Sequence, residues 1–409
     1  MSCNCLSKTS NNGKTLFNFF KDWDQRLLSQ FYTYNELPDF PNRYSFFRIT
    51  DSDMIRFRFH CQKTCGQSIT TYDLFPKSAP IKKHMFENFS RMVRDFIWKR
   101  NNWYNCGVLD WIDQNKPDFI FFLGLNNPYL YSFCSFLQKR LNIPVMVYLT
   151  DDYLHSRFSL SPFYWFRLFG LRKCFKKLLT GRTGLITVNY VMKQEYERLF
   201  NRKCFLLTNY INSPFSEYSL SNNPIKKIVY IGNLLHGRWR NIINFSKMID
   251  GQPFVLEVYP GKAITASVKK KLEKRNNIRV GDFLDSDGVI ETIIESDYVL
   301  HVESFSYSDI CLARYSLSTK ITEYAAYCRP IIAFCPRQVA SFKILKENNL
   351  AICIDKRINK TFLHLMNDAN YLKTIVKNAY RFFDDERKQN DMEHLIANLY
   401  HDLVNYEKI

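Results

Sequence analysis

Two Rossmann-like, doubly wound α/β domains built on parallel sheets are what this sequence predicts, and three observations predict them. From residue 118 onward, short apolar runs rich in branched and aromatic residues alternate with stretches of helical periodicity, the signature of βαβ units. After a polar, Pro-containing passage, CFLLTNYINSPFSEYSLSNNP, the alternation starts again at residue 225. The chain, at 409 residues, is also too long for one ordinary core. A boundary near residue 220 follows, with an N-terminal domain over 1–220 and a C-terminal domain over 221–409.

In chain order, NNGKT (11–15) is the first stretch with turn chemistry. It is no nucleotide P-loop, since Lys8 stands where a glycine five positions before Gly13 is required and no apolar run precedes it. Buried strands are predicted at DFIFFLG (118–124), PVMVYLT (144–150) and GLITVN (184–189). Between the last two, SPFYWFRLFGLRKCFKKLLTGR (161–182) opens on Ser161 and Pro162, a helix start. Its basic residues Arg167, Arg172, Lys173, Lys176, Lys177 and Arg182 meet no acid, while Tyr164, Leu168, Leu171, Phe175 and Leu178 recur at helical spacing. Such a helix suits an anionic membrane surface or a polyphosphate, and equally a core-packed helix with a solvated basic face.

In the second half, IKKIVYIGNLL (225–235), PFVLEVY (253–259), NIRVGDF (277–283), DYVLHVES (297–304), PIIAF (330–334) and LAICI (350–354) are strand candidates separated by helical patterns. The tail from Lys360 to Tyr406 contains neither Pro nor Gly and reads as C-terminal helices packed on the outside.

Composition excludes several classes. Hydrophobic content of 46% and charged content of 23% are globular values, and no uncharged apolar run reaches membrane-spanning length. The N-terminus, MSCNCLSKTSNNGKTLFNFF, lacks the apolar core of a secretory signal. The 12 cysteines show no paired CxxC spacing, which points to free thiols in a reducing compartment and hence a cytoplasmic chain, with no metal. The net charge of +18 is uneven, with 30 Lys+Arg against 17 Asp+Glu in residues 1–224 and 27 against 22 in 225–409. That excess suits phosphorylated substrates or an anionic membrane, and no nucleic-acid-binding module accompanies it.

In open α/β sheets ligands bind at the carboxyl ends of strands, where helix N-termini offer unpaired N–H groups to anions. The residues just after each strand are therefore the candidates. Ser318 or Thr319 caps a helix that carries Lys320 and, one turn on, Glu323, so a phosphate and a ribose can be held together; an ion pair on a helix surface is the plainer alternative. Gly232 and Asn233 follow a strand and lead to Arg238 and Arg240, whose guanidinium groups suit phosphate. Asp282 and Phe283, and Glu303 and Ser304, end two further strands. Asp151 and Asp152 close the strand at 144–150, where a carboxylate can deprotonate or orient an acceptor hydroxyl or simply cap the next turn.

YIGNLLHGR, NIRVGDFLDSDGVIETIIESDYVLHVES and STKITEYAAYCRPIIAF, in this order, resemble the C-terminal donor domain of the group-one, family-four-like bacterial glycosyltransferases, over roughly the last 200 residues. The resemblance implies the GT-B fold, two domains facing a cleft, and transfer of a sugar from a nucleoside diphosphate sugar to a glycan or lipid-linked acceptor in surface polysaccharide biosynthesis, without a cofactor. By it Glu323 binds the donor ribose, Lys320 and Arg238 the phosphates, and Gly281 to Phe283 the base. Many members carry a second glutamate eight positions before the first, where this chain has Tyr315. It also implies that Asn12, Gly13 and Lys14 form an acceptor-facing loop, although the central first strand that should precede them looks missing. Residues 161–182 would then rest peripherally on the inner face of the plasma membrane. A sugar-nucleotide epimerase on the same fold, a non-catalytic polyanion-binding protein and a degenerate donor-binding homologue are the alternatives.

Overall fold

The structure of the protein, a computed structural model, describes residues 1–8, 11–40, 42–60, 64–69, 87–99, 103–104, 107–355 and 361–405. The chain forms two compact units. The first comprises Met1–Thr187, Tyr196–Phe205 and Met392–Ile409, and the second Val188–Glu195 and Leu206–Asp391.

In chain order the first unit begins with α1 (Asn11–Phe20), β1 (Ser29–Tyr32), β2 (Ser45–Arg48), α2 (Asp51–Phe59), β3 (Gln67–Ile69), α3 (Glu87–Trp98) and α4 (Val108–Asn115). It continues with β4 (Ile120–Gly124), α5 (Pro128–Leu141), β5 (Val145–Leu149), α6 (Pro162–Leu179) and β6 (Thr183–Thr187). Helix α7 (Tyr190–Phe200) and strand β7 (Cys204–Leu206) follow, each shared between the units. Strands β4, β5 and β6 run parallel and are buried at every position, as a sheet covered on both faces requires. Their Val, Ile, Phe and Leu runs are what made them legible in the sequence.

The three-stranded sheet β1-β2-β3 and the four-stranded sheet β4-β5-β6-β7 are joined by a segment that sequence patterning did not find. The Met1 nitrogen donates to the Phe121 carbonyl at 2.6 Å and Leu123 N–H donates to the Met1 carbonyl at 2.9 Å. On the other side Ser2 N–H donates to Phe31 and Thr33 N–H to Cys3, both at 3.2 Å. Residues 1–3 thus lie between β4 and β1, with backbone bonds to both. Ser2, Cys3, Asn4 and Cys5 lack the branched and aromatic side chains that announce a strand, and residues 1–8 contribute none of the strands of either sheet. All four are buried, and Gln30 of β1 stitches them in: its amide donates to Ser2 Oγ and the Asn4 carbonyl and accepts from Leu6 N–H.

The second unit contains β8 (Lys226–Gly232), α8 (Arg238–Met248), β9 (Phe254–Pro260), α9 (Ala266–Glu273), β10 (Ile278–Val280), α10 (Ser286–Ile294) and β11 (Tyr298–Val302). After them come α11 (Tyr307–Ala313), α12 (Thr319–Ala326), β12 (Ile331–Phe334), α13 (Ala340–Glu347), β13 (Ala351–Ile354), α14 (Thr361–Asn367) and α15 (Ala369–Gln389). The last helix, α16 (Met392–Asn405), belongs to the first unit, where Leu399 packs so closely on Gly184 of β6 that a Cβ there would lie 2.6 Å from it. The six strands are parallel in the order β10-β9-β8-β11-β12-β13, so the doubly wound parallel sheet predicted for this half takes the 3-2-1-4-5-6 order. Ile228, Leu256, Leu300 and Ile332 fill the core from successive strands.

Two expectations follow. A Cβ on Gly13 would stand 2.3 Å from the Cys5 carbonyl oxygen, so Gly13→Ala pushes α1 off the residue 1–5 segment and destabilises the protein by about 1–3 kcal/mol, measured by urea unfolding. The second concerns Thr208, whose hydroxyl lies 2.9 Å from Glu386 Oε2 on α15 and 3.1 Å from the Val188 carbonyl. One hydroxyl proton cannot serve both acceptors, whereas a protonated Glu386 donates to Thr208 and leaves its proton for Val188. Burial pushes the Glu386 carboxyl up to about 7, against the Thr208 hydrogen bond. A carboxyl raised above its unfolded value contributes stability that is full below the ordinary carboxyl range and lost as pH rises through 7. Thermal unfolding between pH 5 and pH 8 should therefore show a decline that Glu386→Gln reduces by about 1–3 kcal/mol.

Candidate functional site

The 3-2-1-4-5-6 order puts a topological switch point between β8 and β11, and in open α/β sheets ligands bind at the carboxyl ends of the strands at such a point. The two loops at this point supply its chemistry. After β8, Gly232 and Asn233 turn away from the sheet, and Gly261 N–H, at the end of β9, donates to the Gly232 carbonyl at 2.9 Å. The chain then reaches Gly237, left-handed at φ 71°, which starts α8, and Arg238 at its first position reaches the end of β11. After β11, Glu303 is buried, and its backbone carbonyl is held by the Asn241 amide of α8 at 2.9 Å.

Arg238 and Glu303 meet at this switch point. The guanidinium Nη2 donates to Glu303 Oε2 at 2.7 Å and Nε donates to the same oxygen at 3.2 Å, while Nη1 donates to Asn233 Oδ1 at 3.0 Å. Of its five N–H bonds, three are used in this way, which leaves two to donate to a ligand. Burial works against the charge on Arg238, yet Glu303, Tyr230 and Asp309 hold the guanidinium pKa above its ordinary value. Beneath the pair lies His301, fully buried, with Nε2 3.7 Å from Glu303 Oε1; burial lowers its pKa to about 4, so it is a neutral neighbour.

Beside this pair is a network that sequence reasoning missed. Asp309 of α11 accepts from Ser304 Oγ at 2.7 Å and Ser306 Oγ at 2.5 Å, and its other oxygen lies 3.2 Å from His236 Nδ1. Although burial raises its pKa, these hydroxyls and the imidazole hold it below the usual carboxylate range. Ser304, expected here as a ligand contact, donates its hydroxyl proton to Asp309. His236 and Asp309 are remote in sequence, and nothing in their spacing pairs them.

Lys320 and Glu323 lie on α12 as their spacing requires, with Ser318 capping the helix by accepting from Lys320 N–H and Thr319 at its first position. Lys320 Nζ is 2.6 Å from Glu323 Oε2. The solvated surface pair does not describe them, because Glu323 is buried and Lys320 is largely covered. Tyr324 of the same helix reaches the Ile231 carbonyl at the end of β8 at 3.5 Å, which ties α12 to the switch-point strand. Asp282 and Phe283 follow β10, at the far edge of the sheet. Gly281 leaves no room for a Cβ, which would lie 2.4 Å from the Tyr259 ring, and Phe283 stands 70% exposed. An aromatic ring left in water at a strand end is available for stacking.

In the first unit the two aspartates after β5 have different fates. Asp152 is buried and accepts from Leu154 N–H and His155 N–H, each at 3.2 Å, from Tyr196 O–H at 2.9 Å, and faces the His155 ring at 2.9–3.0 Å. Three of these donors meet on Oδ1, while Oδ2 faces the His155 ring, so the buried Asp152 shapes the turn after β5. Asp151 is half-exposed and accepts from Tyr153 O–H at 3.0 Å. Asn12, Gly13 and Lys14 form the first turn of α1 against residues 5–7, with Gly13 buried. Near them Glu36 accepts from the Asn4 amide at 3.0 Å and from Cys5 N–H at 3.3 Å, and burial raises its pKa.

Helix α6 occupies the predicted segment, but its apolar periodicity faces inward. Tyr164, Leu168, Leu171, Phe175 and Leu178 are all buried. Arg167 is also buried, with Nε 2.7 Å from Asp95 Oδ2 of α3, so it does not belong to a solvated basic face. Among the described residues no group of three or more His, Cys, Asp or Glu is arranged to hold a metal ion, and no helix is long and apolar enough to cross a membrane.

No protein-family model matches the sequence, and no curated protein sequence matches it. Solved structures do. WaaG, a glycosyltransferase involved in lipopolysaccharide biosynthesis, aligns over 97% of this chain and 97% of its own with a TM-score of 0.57 at 10% identity. HepE from Anabaena, in complex with UDP and glucose, aligns over 100% of this chain and 98% of its own with a TM-score of 0.57 at 11% identity. TarM aligns with a TM-score of 0.50 at 13% identity over 71% of this chain, which spans 57% of TarM. These likenesses show the fold, which is GT-B.

The network at Asp152 generates a prediction. Tyr196→Phe removes one donor from a buried carboxylate and should destabilise the protein by about 1–3 kcal/mol, read from chemical unfolding.

Proposed function

We propose, from the premise that this chain has the GT-B fold, that it is a glycosyltransferase. It moves a sugar from a nucleoside diphosphate donor to a glycan or lipid-linked acceptor, in the assembly of a surface polysaccharide. The observation that carries this reading is the meeting of Arg238 and Glu303 at the switch point of a 3-2-1-4-5-6 sheet, with α12 tied to the same strand end.

Each residue then has a physical task. The two uncommitted N–H bonds of Arg238 donate to the diphosphate, and Glu303 with Asn233 keeps the guanidinium plane in place. A preorganised cation stabilises the negative charge that grows on the leaving diphosphate without having to reorient as the bond breaks. Lys320 adds a second cation. Glu323, an acceptor-only carboxylate when ionised, is suited to ribose hydroxyls, as the family resemblance implies, and Phe283 to stacking on the base. Asp151 orients or deprotonates the acceptor hydroxyl. No cofactor enters this scheme.

Both WaaG and HepE fit it, the one acting in lipopolysaccharide biosynthesis and the other crystallised with UDP and glucose. A chain that modifies a lipid-linked acceptor works at a bilayer. A cytoplasmic location with peripheral contact at the inner face of the plasma membrane, through the region of residues 161–182, belongs to the same reading.

Calorimetric titration with UDP, GDP, ADP and CMP tests the donor site. One nucleotide should bind saturably, and Arg238→Ala should weaken it roughly 10- to 100-fold, the worth of a charge-assisted hydrogen bond. Glu323→Ala should weaken the nucleotide more than it weakens inorganic diphosphate, since it is assigned to the ribose. Absence of any nucleotide binding at millimolar concentration would overturn the reading in favour of a polyanion-binding protein.

A further inference from the structure

The basic helix α6 shows water a face other than the one its sequence periodicity advertises. Its inward stripe is spent on the core, and its outward stripe changes character halfway along. The first two turns expose Trp165, Phe166 and Phe169, the latter two at 68% and 70%, and the last two expose Arg172, Lys173, Lys176 and Lys177. Just ahead of the helix, Phe158 and Leu160 are exposed too.

The aromatic half does not stand alone. Helix α3 packs on α6, with Phe89 and Phe163 in edge contact at 5.2 Å, and it turns Phe89, Val93 and Phe96 to solvent at i, i+4 and i+7. Helix α2 packs on α3 and exposes Ile55 and Phe59 one turn apart, while Arg58 lies over the Phe96 ring at 4.8 Å. Half of all large apolar side chains exposed among the described residues fall on these three helices and the 158–160 loop. Scattered exposed apolar residues need no explanation, but a continuous patch does.

We propose that this α2–α3–α6 face docks on an anionic lipid bilayer, with the aromatic side chains entering the headgroup boundary and the lysines at the far end of α6 lying over acidic lipid. The pairing of rings with exposed lysines decides between partners. Cores of protein interfaces are depleted in lysine, whereas at a bilayer a lysine lays its apolar stem along the boundary and keeps its ammonium at the phosphates. Each basic residue held near an acidic leaflet strengthens binding roughly fivefold, so charge alone gives weak, salt-sensitive adsorption, and the rings supply the part that salt does not remove. This surface rests for its purpose on the reading of a lipid-linked acceptor.

Vesicle flotation of the full chain, with no nucleotide or acceptor present, tests it separately from that reading. Vesicles of phosphatidylcholine alone should bind weakly, and those with phosphatidylglycerol at least tenfold more tightly, with part of the binding surviving 0.5 M salt. Phe89→Ser with Phe96→Ser, on α3, should weaken binding about tenfold or more, as should Phe166→Ser with Phe169→Ser on α6. Lys173→Glu with Lys176→Glu should abolish the preference for acidic lipid. Trp165 fluorescence should shift to the blue on binding, a shift absent from Trp165→Phe. Unchanged thermal unfolding and nucleotide titration of the variants exclude misfolding and leave the donor site judged on its own. Three outcomes would overturn the proposal: no binding to acidic vesicles, binding indifferent to the α3 rings, or a concentration-dependent dimer that the ring substitutions dissolve while vesicle binding stays absent.

Discussion

A parallel sheet has to be buried on both faces, because the crossover helices that connect its strands cover it on each side. That constraint governs this protein. In β4, β5, β6 and β11 every residue is buried, and the side chains of these strands are consumed by packing. What remains for chemistry is the set of loops at the carboxyl ends, and the order of the strands decides which loops face each other. In the second unit the reversal of order between β8 and β11 brings together two loops about seventy positions apart, and the Arg238–Glu303 pair is the result. In the first unit the same constraint explains why three unremarkable residues matter: without Met1 to Cys3 the sheets on either side would lose backbone partners at β1 and β4.

The pair at the switch point is better understood as preorganisation than as stabilisation. A half-buried ion pair recovers little net energy after desolvation, and well-packed apolar residues would often serve stability as well. What the pair provides is geometry. Glu303 is held from behind by Asn241 and neighboured by a neutral His301, so the guanidinium is fixed with part of its donor set pointing elsewhere. A similar economy separates the two aspartates after β5. Asp152 is so thoroughly hydrogen-bonded that it sets the shape of the turn, and the turn in turn positions Asp151.

Helix α6 shows how a sequence pattern can be right in period and misleading in direction. Apolar residues at helical spacing predict a helix with a wet face and a dry face, and both exist. The dry face is the protein core, as the plainer of the two sequence readings had it. The aromatic residues that reach solvent, Trp165, Phe166 and Phe169, lie outside that stripe, and they become a surface only because α3 and α2 bring their own exposed rings alongside.

The sequence by itself determined the strands and helices of the second unit, the three central strands of the first, and the residues at their carboxyl ends, among them Gly232, Arg238, Glu303, Lys320 and Glu323. These were legible because buried parallel strands need runs of branched and aromatic residues, and a run is a local property. Only the tertiary structure decided which of those residues meet. The partnership of Arg238 with Glu303, the closing of Asp309 by Ser304, Ser306 and His236, the bond from Tyr196 to Asp152, and the seam formed by Met1 to Cys3 all join positions whose neighbours in sequence say nothing of each other. Periodicity reports which side of an element is buried, while the identity of the group that buries it depends on strand order and hydrogen-bond inventory, which exist only once the chain has folded.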